Sequence, residues 1–231
     1  MPFDAVVDEI RTHSGRRNSV PNFDPKNGNE TARFLFLVEA PGPEAAREGG
    51  IVSYENPDPP ARGIRRQPES ALIPRSEIAL WNIVPWYLGR EDRSAIKGAR
   101  AGDVVKGRVF VPPIIAQMKQ LEFTVLVGGA ARMAHVHLSS RTSARIVSCH
   151  HTSAQVRIRN PLAEDENIEV LRDIKALSDA GQGGHGNDSG FSSSMDALPH
   201  GDLRCRCSLE CGGRRSGRRR SLRDQICSVS Y

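Results

Sequence analysis

A single amide side chain interrupts an apolar segment of this chain: Asn82 lies between Trp81 and Ile83 in "ALWNIVPWYLG". Polar residues also follow other apolar segments directly, with Glu39 after one of them and His150 after another. A buried amide needs a hydrogen-bond partner, and a ligand can supply that partner where the protein does not. An amide, a carboxylate and an imidazole in such positions predict a site for a polar ligand.

The apolar segments themselves have the composition of strands buried on both faces of a parallel sheet. Each is short, nearly continuous, and rich in β-branched or aromatic residues. The four segments are "RFLFLV" (33–38), "IALWNIV" (78–84), "FTVLVG" (123–128) and "ARIVS" (144–148). Helices are predicted at 114–121, 129–138 and 161–178. Strands that alternate with helices indicate a three-layer α/β/α domain with a four-stranded parallel sheet.

This fold class predicts where the polar residues meet. The carboxyl ends of parallel strands share one edge of the sheet, and ligands bind in the crevice outside that edge. The residues that follow the four segments are "VEAPGPE", "NIVPW", two glycines, and "SCHHTSAQ". We therefore expect carboxylates, an amide and a histidine pair to converge on one rim.

The domain is expected to cover residues 1–180, followed by a disordered basic tail at 181–231. The tail is dense in Gly, Ser and Arg and has no sustained hydrophobic period, so it cannot bury enough apolar surface to offset its ordering entropy. A basic arm that touches nucleic acid is the functional alternative. Closely spaced thiolates suit zinc, which is a further alternative for the tail cysteines: Cys205, Cys207, Cys211 and Cys227.

The composition excludes some classes of protein. The chain has no apolar run of about 18 residues, so no membrane span is expected. Its first residues carry acids and lack the apolar core of a signal peptide, which predicts a cytoplasmic protein. The net charge of +5 only weakly favours a polyanionic partner. We expect a monomer without a metal or another cofactor.

Three motifs in this order resemble those of the uracil-DNA glycosylase superfamily: "EAPG" (39–42), "WNIVPW" (81–86) and "HHTS" (150–153). The first resembles the "GEAPG" of that superfamily's iron–sulfur branch, and the last resembles its "HPS" motif. "NPDPPAR" (56–62) also resembles a segment of glycosylase-like bacterial and phage proteins. The likeness covers roughly residues 30–178 and implies the uracil-DNA-glycosylase-like fold.

The chain departs from the family pattern at several positions. Val38 stands where the family usually has Gly before the acid, and His151 stands where it has Pro after the histidine. The domain contains only Cys149, so the cysteines that bind the iron–sulfur cluster have no counterpart and no cluster is expected. The family's stacking Phe falls in "GGIVSY", where Ile51 or Tyr54 would have to serve.

The resemblance implies a role for each polar residue of the rim. Asn82 would read the edge of the base, and His150 would stabilise the base as it leaves with negative charge. Glu39 would orient the attacking water or offset positive charge on the sugar, with Glu44 and Asp58 as alternatives.

The same resemblance implies backbone and phosphate contacts. Ala40, Pro41 and Gly42 would form a tight turn whose main-chain groups approach the base or a phosphate. Thr152 and Ser153 would hold the phosphates that flank the base, contacts that position the strand without reading its sequence.

The implied function is a DNA glycosylase that hydrolyses the bond between uracil, or a related deaminated base, and deoxyribose. Its partner is DNA, from which the nucleotide must be extruded. A non-catalytic nucleic-acid-binding member of the superfamily is the alternative, because the "HHTS" motif is altered and the stacking Phe is missing. A small-molecule enzyme on a flavodoxin-like sheet is a more distant alternative.

Overall fold

In the residues that the structure describes, six strands form two parallel sheets. They are β1 (Asn22–Phe23), β2 (Phe34–Val38), β3 (Ile51–Val52), β4 (Ile78–Asn82), β5 (Phe123–Val127) and β6 (Arg145–Cys149). The larger sheet has the order β4-β2-β5-β6, and β1 pairs with β3 in a two-stranded sheet. Each strand of the larger sheet lies within or beside one of the four predicted segments. The predicted four-stranded parallel sheet is therefore confirmed.

The structure is a computed structural model that describes residues 3–15, 19–90 and 97–183. The described residues up to Ser178 form one compact unit. The predictions of a disordered tail, of a basic arm and of a zinc site fall almost entirely on residues 184–231, which lie outside the described residues. The predicted boundary after residue 180 stays a prediction.

The two edges of the larger sheet differ in burial. All five residues of β4 are buried, because the short sheet covers this edge: Phe23 of β1 stacks on Trp81, with 4.0 Å between ring centroids. At the other edge β6 pairs with β5 alone, and Arg145 and Ser148 are exposed. The prediction that all four strands are buried on both faces is thus wrong for β6, which is an edge strand.

Eight α-helices connect and flank the strands in the described part of the chain. They are α1 (Asp4–Ser14), α2 (Pro59–Ser70), α3 (Ala101–Gly107), α4 (Val111–Ile115), α5 (Gly128–Arg132), α6 (His135–Ser139), α7 (Ala154–Arg159) and α8 (Ala163–Gly183). Apolar side chains from α1, α4 and α8 join those of the sheet in one core. This arrangement confirms the predicted α/β fold class.

Two of the three predicted helices differ in detail from the observed ones. The helix expected at 114–121 begins earlier, at Val111, since prolines are tolerated in a first turn whose N–H groups have no intrahelical partner. It also ends by Ile115. The segment 129–138 forms two short helices, interrupted at residues 133–134. The third helix is confirmed, with an acidic first turn that complements the helix dipole.

The strand order opens a crevice at the carboxyl ends of the central strands. From β2 the chain leaves to β4 on one side, whereas from β5 it leaves to β6 on the other. Connections that depart in opposite directions mark the switch point at which α/β sheets bind ligands.

In the described ranges, no helix combines the length and the apolar character needed to cross a bilayer.

Candidate active site

A cavity of about 270 Å³ lies at the carboxyl ends of β2 and β4. Its walls come from the turn after β2, the start of α2, the segment around Tyr87, and the loop after β6. The polar side chains that line it are those of Glu39, Ser53, Asn56, Asp58, Asn82, Lys97, His151 and Thr152. This volume is just below the range of about 300–1,000 Å³ that is typical of pockets for drug-sized ligands. It suits a group the size of one base.

Asn82 is the last residue of β4 and lies opposite Val38 of β2. Its side chain is only 2% exposed. Its amide oxygen Oδ1 is buried and accepts no hydrogen bond from any described residue. An unpaired buried acceptor costs about 1–3 kcal/mol, so the protein keeps this group at an energetic cost. The amide lines the cavity, where a ligand donor can satisfy it.

Glu39 follows β2 directly, and the main chain holds its carboxylate. Oε1 accepts a hydrogen bond from the backbone N–H of Ala99 at 2.6 Å. The Glu39 carbonyl oxygen accepts from the N–H of Val84, which extends the β2–β4 pairing beyond the strands. The first contact fixes one carboxylate oxygen, and no residue that the structure describes hydrogen-bonds to the other, which is available to a ligand or a water molecule.

His151 is the histidine that lines the cavity. Its Nδ1 accepts a hydrogen bond from the backbone N–H of Ser153 at 3.1 Å. An accepting Nδ1 assigns the proton of the neutral ring to Nε2. Burial lowers the pKa of His151, while the negative charge of Glu39 opposes this shift. The geometry therefore presents a neutral imidazole with an Nε2–H donor.

A close backbone approach fixes the position of the His151 ring. Gly128, at the start of α5, has φ +87°, and a Cβ atom built there would lie 2.9 Å from His151 Cδ2. That φ lies in the region that side chains rarely adopt. Any larger residue would meet both backbone strain and the ring.

His150 does not meet Asn82 across this cavity. Its Nε2 contacts a carboxylate oxygen of Glu166 in α8 at 2.9 Å. Its backbone N–H donates to the Asn167 side chain, which donates in turn to the His150 carbonyl oxygen. The geometry thus places His151 in the cavity with Asn82, and not His150, the histidine to which the resemblance gives the catalytic role. Neighbouring residues of an extended loop point in opposite directions. Here His150 points towards α8, where Glu166 and Asn167 bind it, and His151 points into the cavity.

Neither residue predicted to take the place of the stacking Phe lines the cavity. Ile51 lies in β3, where its carbonyl oxygen accepts from Asn56. The Tyr54 ring is buried beneath Arg75, whose guanidinium carbon is 5.2 Å from the ring centroid. Burial raises the pKa of Tyr54 far above its ordinary value. The aromatic residue that does line the cavity is Tyr87, which sequence reasoning missed although it stands in the segment around Asn82.

The other predicted residues divide between the cavity and its surroundings. Ala40, Pro41 and Gly42 form part of the cavity wall, as the predicted turn requires. Thr152 also lines the cavity and donates from Oγ1 to the Pro60 carbonyl oxygen at 3.0 Å. Ser153 lies outside the lining and precedes α7 as its N-terminal cap residue.

The two alternative carboxylates are placed differently. Asp58 lines the cavity and caps α2, accepting from the backbone N–H of Ala61 at 2.9 Å. Glu44 lies outside the lining and pairs with Arg47 at 2.7 Å.

Cys149, which ends β6, is buried, and burial raises the pKa of its thiol to about 12. The thiol is therefore not a nucleophile at neutral pH.

The comparisons with known proteins find similarity to solved structures. Neither a protein-family model nor a curated protein matches this chain. Among solved structures, the chain is similar to a crystal structure of a point mutant of UNG from Nitratifractor salsuginis. The two share 14% identity at a TM-score of 0.42, over 72% of this chain and 92% of that one. A likeness at this level assigns no activity to this chain.

Proposed function

We propose that this chain hydrolyses the N-glycosidic bond of uracil, or of a related deaminated base, in DNA. The observation that carries the proposal is the unpaired amide oxygen of Asn82, buried in a base-sized cavity with Glu39 and His151. The motif resemblance supports the same reaction. The reacting bond is inaccessible within a base stack, so the nucleotide would enter the cavity flipped out of its strand.

Asn82 reads the base in this proposal. Uracil presents an imide N–H beside a carbonyl oxygen, and an amide side chain presents an acceptor beside a donor. The imide N–H would donate to the unpaired Oδ1, and Nδ2 would donate to the carbonyl oxygen. Tyr87 supplies the aromatic surface that neither Ile51 nor Tyr54 brings to the cavity.

His151 takes the role that the resemblance implies for His150. When the bond from the sugar carbon C1′ to the base breaks, its electron pair stays on the base, which becomes an anion. The Nε2–H of His151 would donate to a base oxygen on which this charge develops. A preorganised donor in a site that excludes water is worth about 10²- to 10³-fold in rate.

Glu39 acts on the other product of bond cleavage. The sugar carbon becomes oxocarbenium-like, and the negative carboxylate stabilises that positive charge. The free carboxylate oxygen also orients a water molecule whose oxygen forms the new bond to C1′. The water gives up one proton, which finally protonates the departed base, so atoms and charge balance without a cofactor.

Incubation with a uracil-containing oligonucleotide tests the proposal. We expect the mass of the strand to fall by the lost base and alkali to cleave the abasic site. Asn82→Ala should slow excision roughly 5- to 150-fold, the equivalent of about 1–3 kcal/mol for lost hydrogen bonds. Asn160→Ala is the matched control, because that amide pairs with Glu166 outside the cavity.

The non-catalytic alternative gives a different result in the same assay. A protein that only binds nucleic acid would leave the uracil-containing strand at its original mass while binding it with strong salt dependence. Equal excision rates in the wild type and in Asn82→Ala would remove Asn82 from the reaction.

A further inference from the structure

A second depression, of about 530 Å³, adjoins the cavity, and half of its lining residues are arginines. Its lining residues are Pro59, Arg62, Gly63, Arg66, Ala154 and Arg157. Pro59 lines both this depression and the cavity that contains Asn82. We call the three arginines the arginine patch. The patch belongs to α2, whose first turns line the cavity, and to α7, which begins two residues after Thr152 of the cavity wall.

Close packing between α2 and the loop after β6 places the patch beside the cavity. A Cβ atom built on Gly63 would lie 2.7 Å from Cβ of Thr152, so only glycine allows this approach. Thr152 lines the cavity on one side of this contact. Gly63 lines the second depression on the other side. The contact between Gly63 and Thr152 therefore separates the arginine patch from the cavity.

The patch carries more positive than negative charge. Arg66 pairs with Glu164, and Arg157 lies 3.8 Å from the same carboxylate. Arg62 is exposed and forms no ion pair with any residue that the structure describes. Two guanidinium groups thus share a single carboxylate, and the third has no ion-pair partner among the described residues. Because the side chains of Arg66 and Arg157 are 54% and 42% exposed, they retain N–H donors that face solvent.

We infer that the arginine patch binds the phosphodiester backbone of a nucleic-acid strand next to the nucleotide whose base enters the cavity. The planar fork of a guanidinium matches two oxygens of a phosphate. Arginines on two helices suit successive phosphates along a strand, whereas one free phosphate would need donors that converge on a point. Such contacts fix the strand without reading its sequence. The position relative to the base rests on the proposed function; binding of the backbone does not.

Salt-dependent binding of a uracil-free duplex oligonucleotide tests the inference. Each phosphate contact contributes about 0.9 to the slope of log affinity against log salt concentration. Arg62→Ala should weaken binding and reduce this slope by about one, and the double variant Arg62→Ala/Arg157→Ala by about two. Arg65→Ala is the matched control: Arg65 lies on the same helix but pairs with Glu69 at 2.9 Å, away from the patch. It should leave the slope unchanged.

Several outcomes would overturn the inference. One is an unchanged slope in the double variant, and another is an equal loss in Arg65→Ala, which would indicate a diffuse effect of net charge. A third is release of the labelled duplex by millimolar inorganic phosphate at constant ionic strength, which would assign the patch to small phosphates.

The assay separates failure of this inference from failure of the proposed function. Its oligonucleotide contains no uracil, so binding is measured whether or not the protein excises a base. Arginine-dependent binding without uracil excision would refute the proposed function alone. Uracil excision together with an unchanged salt slope in the double variant would refute the arginine patch alone.

Discussion

Two neighbouring histidines in the loop after β6 face different parts of the molecule. On the side of α8, the His150 ring contacts Glu166, and its main chain is clasped by the Asn167 side chain. On the side of the cavity, His151 is held at Nδ1 by the backbone N–H of Ser153. No residue in the described part of the chain bonds its Nε2, and the cavity also contains the unpaired oxygen of Asn82.

The two surroundings distinguish polar groups whose hydrogen bonds stabilise the fold from polar groups that lack a protein partner and can bind a ligand. Asn167 is buried, but its side chain accepts from the backbone N–H of His150 and donates to the His150 carbonyl oxygen and to the Gln67 side chain. These hydrogen bonds stabilise the loop after β6 and satisfy the amide oxygen and nitrogen of Asn167. Asn82 is as deeply buried and lacks this compensation. We therefore expect changes on the α8 side to alter stability and changes on the cavity side to alter function.

The largest expected effect contrasts the two histidines directly. His151→Ala should slow uracil excision by about 100-fold or more, because it removes a donor aimed at the charge that develops on the base. His150→Ala should stay within a few-fold of the wild type, since its ring contacts an exposed carboxylate. Single-turnover rates on a uracil-containing strand measure both. The opposite order of the two rates would return the catalytic role to His150.

Gly128→Ala should damage the cavity side without removing a polar group. The methyl group would meet the His151 ring at 2.9 Å in a backbone conformation with φ +87°. Strain of this kind costs about 1–2 kcal/mol, and overpacking adds about 1–3 kcal/mol. Urea unfolding should show lower stability, and excision should slow as the ring moves.

Gly129→Ala is the matched control for that variant. It changes the next residue of α5, where a Cβ atom would meet no other atom within 4 Å. Equal stability and equal activity in the two variants would show that Gly128 does not position His151.

Asn167→Ala, on the α8 side, should lower stability and leave the activity of the folded protein almost unchanged. It leaves the main-chain groups of His150 and the Gln67 amide without their partner, at a cost of about 1–3 kcal/mol. The free energy of unfolding should fall by that amount, as measured in urea. The excision rate of the folded fraction should stay close to that of the wild type. A large loss of activity at unchanged stability would contradict the division between the two sides.

The smallest effect is a change in the titration of His151. Burial lowers its pKa below the ordinary value of about 6.5, and Glu39 opposes this shift. Glu39→Gln should therefore lower the pKa further. The neutral ring stabilises the fold above about pH 6.5, and this contribution is lost as the pH falls through the folded-state pKa.

Imidazole resonances followed by NMR across this pH range check both statements. The His151→Ala variant assigns the signal of His151 by its absence. A pKa above 6.5 in the wild type, or a rise in Glu39→Gln, would contradict the burial and charge described for this ring.

Local pattern predicted much of the architecture. The runs around Phe34, Ile78 and Phe123 are apolar on both faces, which is typical of strands in a sheet covered on both sides. Alternating helices then required a parallel sheet with its polar residues on one rim. The same local argument failed for β6, because burial at an edge depends on what other segments place there. It also missed α2, which has a buried glycine and an internal proline.

The residues of the candidate site also differ in whether local sequence could predict them. Asn82 and Glu39 could be predicted, because each is attached to a strand whose position in the sheet follows from its sequence. The choice between His150 and His151 could not, since both follow the same strand and differ only in direction. Tyr87 was missed because nothing local distinguishes an aromatic residue that faces a cavity from one that packs in the core.

The amino-acid sequence by itself determined the parallel sheet, the rim at which its polar residues gather, and the amide at the end of β4. Only the tertiary structure decided which imidazole turns towards that amide. The physical reason is that hydrophobic period is a property of neighbouring residues, whereas the direction of a loop side chain depends on remote contacts. Here those contacts are Gly128 against the ring of His151 and α8 against His150.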